Sequence, residues 1–101
     1  MIRSNDLLQM ISGFKKLEGC PTDGNDNAAS HFFAQIPMAE EACKQACTHN
    51  PACDFYVNQL MVCYLGDFED VNPLPKPALL FGSIDVYLKD ASNETKLRCE
   101  N

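Results

Sequence analysis

Apolar and polar positions alternate along this chain with two different periods, and each period predicts its own elements. Residues 38–49, MAEEACKQACTH, are strong helix formers; Pro37 suits a first turn, Glu40 and Glu41 complement the helix N-terminus, and Asn50 followed by Pro51 is a stop. This predicts a helix with Cys43 and Cys47 on one face, a turn apart. HFFAQI reads as a strand leading inward, and IDVYL, residues 84–88, as a cleanly alternating one. DFYV and LMVCYL are β-prone runs joined by Asn58 and Gln59, which predicts a hairpin turning at those two residues. Leu7, Leu8, Met10 and Ile11 predict a short amphipathic helix over 4–12, stopped at Gly13, which either closes the domain's own core or joins two copies.

The connecting stretches carry turn chemistry. Residues 21–30, PTDGNDNAAS, form a loop, and GDFEDVNPLPKPALLFG, residues 66–82, a long one in which Pro73, Pro75 and Pro77 favour extended backbone. There is no internal repeat. Residues 1–17 read as an N-terminal extension and 18–101 as the domain.

Alternation also assigns faces. If Cys53 and Cys63 face the helix, then Phe55, Val57, Met61 and Leu65 face it too, with Ile84, Val86 and Leu88 likewise in the last strand. Tyr56, Tyr64 and Tyr87 then share the opposite face, near Asp54 and Asp85.

Length and charge narrow the class. A chain of 101 residues is one domain's worth, and its core is a modest source of stability. Its six cysteines are an even number and well above ordinary usage, which points to pairing in an oxidising, extracellular compartment. The net charge of -6, with Lys and Arg scattered, argues against a nucleic-acid partner. No apolar stretch approaches the roughly 20 residues of a membrane span. The opening MIRSNDLLQMISGFKK is too polar for a secretory signal, so a secreted form is expected to be a mature or excised one.

Metal and redox readings fit the cysteines poorly. Structural zinc sites draw on CxxC or HxxxH knuckles, and thioredoxin-like sites need CxxC in a βαβ context; here the helix carries CxxxC. No metal or other cofactor is expected. A covalent staple fits better. Cys53 follows the helix closely and should meet Cys47, leaving Cys63 for Cys43 and Cys20 for Cys99, although six cysteines allow 15 connectivities.

EEACKQACTHNPACDFYVNQLMVCYL resembles the core of the PAN/apple superfamily. The shared features are an acidic helix start, CxxxC in the helix, a Pro before the third Cys, an aromatic two residues after it, and a fourth Cys on the returning strand. The match is specific over residues 36–65 and extends to 20–99 through the flanking Cys pair. The resemblance implies an α+β fold, an antiparallel sheet packed against one central helix, with the same pairing, and a non-enzymatic module that binds protein or carbohydrate.

Four stretches are candidates for chemistry. Tyr56, Tyr64 and Tyr87 with Asp54 and Asp85 offer stacking area and polar handles for a sugar or protein, unless other segments cover that face. Phe68, flanked by Asp67, Glu69 and Asp70, offers an acidic and apolar loop to a basic protein surface, against the simpler expectation of a solvated loop. DGNDN, residues 23–27, opens like a calcium loop but has Ala28 where Gly is required and Ala34 where the bidentate Glu belongs. Asn93-Glu94-Thr95 is a glycosylation sequon. His31 and His49 lack a nucleophile, and His49 suits the negative end of a helix.

The sequence therefore predicts a secreted adhesion module for an extracellular protein or glycan, without membrane insertion and possible as one part of a larger multidomain protein. The alternatives are a secreted effector that blocks a protease or receptor, and a structural domain with no ligand of its own.

Overall fold

The computed structural model describes residues 13–22, 31–69, 73–75 and 82–97. The expected N-terminal helix and the DGNDN stretch lie outside them, as do Asp70, Pro77 and Cys99.

The chain forms a small α+β domain. Strands β1 (Lys15–Pro21), β2 (Phe32–Pro37), β3 (Phe55–Gln59), β4 (Val62–Gly66) and β5 (Ser83–Leu88) make one antiparallel sheet in the order β1-β5-β3-β4-β2. One helix, α1 (Glu40–His49), packs on β3 and β4, and a 3-10 turn, Ala91–Lys96, follows β5. β1 crosses from residue 17 to 18, so the sheet takes in the end of the segment read as an extension. Its register slips between Leu17 and Cys20, where Gly19 supplies a φ of 71° at the bulge.

α1 begins later than its sequence suggests. Pro37 closes β2 opposite Val62, and Ala39 is the N-cap without a side-chain bond. A strand end on the sheet edge tolerates Pro because no ladder donor is lost there. A ten-residue helix is marginal alone. Here it is bolted down. Cys43–Cys63 joins its buried face to the hairpin and Cys47–Cys53 joins it to the turn before β3, with Cα separations of 5.4 and 5.2 Å. Cys20 is disulfide-bonded as well.

The hairpin turns two residues later than the sequence suggests. Gln59 pairs with Val62, and the turn is Leu60-Met61, with φ of 52° and 64°. Interior packing overrides the weak turn preference. The observed register sets Phe55 opposite Gly66, where the missing side chain makes room for the ring; a turn at Asn58-Gln59 would set Phe55 against Val62 instead.

Both sheet faces are covered, and the face assignment made from Cys53 is corrected. Tyr56, Leu65, Cys63 and the half-buried Tyr87 lie under α1 with Cys43, Cys47 and Cys53. Phe55, Val57, Tyr64, Ile84, Val86 and Leu88 fill the opposite core with Phe32 and Leu97. Cys53 belongs to the tight turn after α1, where its N–H donates to Asn50 O at 3.0 Å, so strand alternation does not reach it. Parity carried from it into β3 comes out inverted. Met61 belongs to the turn and faces neither core.

Candidate functional site

The structure does not gather the three tyrosines on one face. Tyr56 and Tyr87 are cross-strand neighbours, stacked at 4.9 Å, and Phe14 meets Tyr56 edge-on at 4.9 Å. The Tyr56 hydroxyl donates to Glu40 Oε1 at 2.9 Å, tying the first turn of α1 to the sheet. Tyr64 is fully buried on the other face, and its hydroxyl finds no hydrogen-bond partner among the described residues.

These environments act on the phenols. Burial, then the Glu40 hydrogen bond and charge, push Tyr56 well above its ordinary value of 10.0, and burial raises Tyr64 too. A phenol whose folded pKa is raised stabilises the fold fully below the unfolded value and loses that contribution as pH climbs above it. Unfolding free energy should therefore fall as pH rises beyond 10.0. Tyr56→Phe should cost about 1 kcal/mol near neutrality, from one lost hydrogen bond, and flatten the alkaline decline. Urea titrations at a series of pH values would check both.

The acidic candidates are structural ties. Asp54 Oδ2 accepts the Phe68 N–H at 3.0 Å, while its own N–H donates to Gly66 O and its carbonyl accepts the Lys89 N–H. Lys89 Nζ donates to Asn50 O at 3.1 Å, and partial burial lowers its pKa against the raising charge of Asp54. Asp85 is exposed, lying 3.8 Å from Lys16 Nζ and accepting from Gly19 N–H at 3.4 Å.

Phe68 is half-buried, 5.2 Å from Phe55, with Lys96 Nζ 5.2 Å above its ring. It belongs to the aromatic core more than to an open loop. Leu74 N–H bonds to Phe32 O at 2.7 Å, so part of the Pro-rich stretch lies along β2. Asn93 sits half-buried in the 3-10 turn, its N–H on Asp90 O. His31 packs near Phe55 and Phe68, and His49 ends α1 exposed.

Among the described residues, no three His, Cys, Asp or Glu side chains come together as a metal site, and no helix is long and apolar enough to cross a membrane.

The feature missed from sequence is the hairpin tip. Leu60 and Met61 are 71% and 64% exposed, and Ile36 is exposed nearby on β2. Large residues are disfavoured in a two-residue hairpin turn that requires positive φ at both positions, where Asn-Gly is preferred. This tip is also held firmly. Met61 O accepts the Met38 N–H at 2.9 Å, Asn58 Nδ2 donates to Met38 O at 2.9 Å, and the Cys43–Cys63 bridge begins two residues along. The uninterrupted LMV run, breaking polar alternation at the hairpin, was the available signal.

No family model matches the chain, and neither the curated proteins nor the solved structures contain a match.

Proposed function

We propose that this chain is an extracellular, non-enzymatic binding module of the PAN/apple type that engages a protein ligand through its hairpin tip. The observation that carries the reading is the pair Leu60 and Met61, large apolar side chains presented to solvent from a left-handed turn. Backbone strain kept at an exposed position is a feature of functional sites, and exposed apolar side chains gain free energy when a partner's pocket covers them. The disulfide-clamped helix beneath supports the same reading, because a tip already fixed loses little conformational entropy on binding. An apolar tip favours a protein pocket over a sugar, and the tyrosines that would stack on a glycan lie within the two cores.

A convex tip also suits the second reading, a secreted effector that inserts into the cleft of a protease or receptor. The isolated, oxidised domain applied to arrays of immobilised extracellular proteins and glycans separates these cases. Saturable binding to a protein supports the module, and concomitant inhibition of that protein assigns the effector role. Binding confined to glycans would sink the tip reading.

A further inference from the structure

Few groups in this molecule are open to a mild oxidant. Peroxides attack side-chain sulfur most readily, as thiolate or as thioether. Among the described residues no cysteine is free, since Cys20, Cys43, Cys47, Cys53 and Cys63 are all bridged, and the chain contains no tryptophan. The methionine thioethers are what remains.

Two of the four methionines belong to the described residues, and their settings are opposite. Met38 is half-buried and packs against the cysteine-lined core beneath α1. Met61 is 64% exposed at the second position of the hairpin turn. Its main chain is fixed by the bond from the Met38 N–H, by the closing pair Gln59 and Val62, and by the bridge at Cys63. With the backbone so held, the thioether stays at the surface.

A peroxide alone completes the reaction there. A sulfur lone pair attacks one peroxide oxygen, the S–O bond forms as the O–O bond breaks, and the sulfur loses two electrons while the peroxide leaves reduced to water or an alcohol. The product is a sulfoxide, polar where the thioether was apolar. The fold does not rest on that sulfur, because Met61 holds the turn through its carbonyl and its side chain faces neither core. Recognition does. A partner pocket shaped for the thioether would have to bury an unpaired S=O.

We propose that Met61 is an oxidant-sensitive modification site, at which a peroxide switches the hairpin tip from apolar to polar while the domain stays folded. The switch rests on the reading of the tip as the binding element, and its test uses no protein ligand, so that either can fail alone.

The disulfide-bonded chain is treated with hydrogen peroxide, sampled over time and mapped by peptide mass spectrometry. Sulfoxide should form several-fold faster at Met61 than at Met38. Phenyl resin stands in for an apolar pocket, and the treated protein should elute earlier from it with an unchanged melting temperature. Met61→Leu keeps an apolar side chain and removes the sulfur, so the shift in elution on peroxide treatment should largely disappear. Non-reduced mapping of the Cys43–Cys63 and Cys47–Cys53 bridges checks that this variant folds, and the rate ratio in the wild-type chain decides alone if it does not. Equal rates at the two methionines, an undiminished shift in Met61→Leu, or a melting temperature that falls as Met61 is oxidised would each overturn the proposal.

Discussion

Replacing both Cys43 and Cys63 with alanine should lower the unfolding free energy by roughly 3 kcal/mol, from loop-closure entropy over a separation of 20 residues. The corresponding change at Cys47 and Cys53, separated by 6 residues, should cost about 2 kcal/mol on the same basis. The order of the two is the informative part. Cys43–Cys63 is the bridge that fastens α1 to the strand beyond the tip, whereas Cys47–Cys53 only closes the turn after the helix. For a domain of this size the larger loss corresponds to a melting temperature lower by about 12–24 °C. Thermal and denaturant unfolding of both pairs would measure it. Equal losses would mean that residual structure in the unfolded chain, and not loop length, sets the contribution.

Gly66→Ala should be nearly as damaging. A Cβ at this position would overlap the edge of the Phe55 ring, which is fully buried and packed against Phe32 and Phe68. The objection is steric, in the way of an overpacked core, and the expected cost is about 1–3 kcal/mol or more. A double-mutant cycle identifies the cause. In a Phe55→Leu background the same Gly66→Ala change should cost markedly less, because the atoms it meets are gone. Strictly additive losses would point away from the ring contact.

How far the fold could be read in advance depended on which signal each segment carried. The helix, the HFFAQI and IDVYL strands and the 43–63 and 47–53 pairings were legible, because helix formers cluster, alternation is clean, and proximity restricts the cysteines. β1 was not, since KKLEGCP has little alternation and becomes a strand only by pairing with β5 across a bulge. Local preference puts the hairpin turn at Asn58-Gln59, whereas the long-range match of Phe55 with Gly66 fixes the register that sets it at Leu60-Met61.

The candidate site suffered from a related error. Parity taken from Cys53 fails because that residue lies outside β3; taken from Cys63 across the hairpin, it places Tyr56 beneath the helix. The tyrosine cluster dissolved into two cores, and the exposed apolar side chains turned up at the turn itself. Local rules fail where something else holds the backbone in place, and Leu60 and Met61 are held by Met38, Asn58 and a disulfide.

That tension makes one comparison decisive. Leu60→Asn with Met61→Gly installs the residues this turn prefers and removes both apolar side chains. Unfolding free energy and affinity for a captured protein ligand should be measured on the same preparations of wild type and double variant. If the tip is the binding element, stability rises by about 1–2 kcal/mol while affinity falls at least about tenfold. Unchanged affinity in the stabilised variant would contradict the tip as the site of recognition.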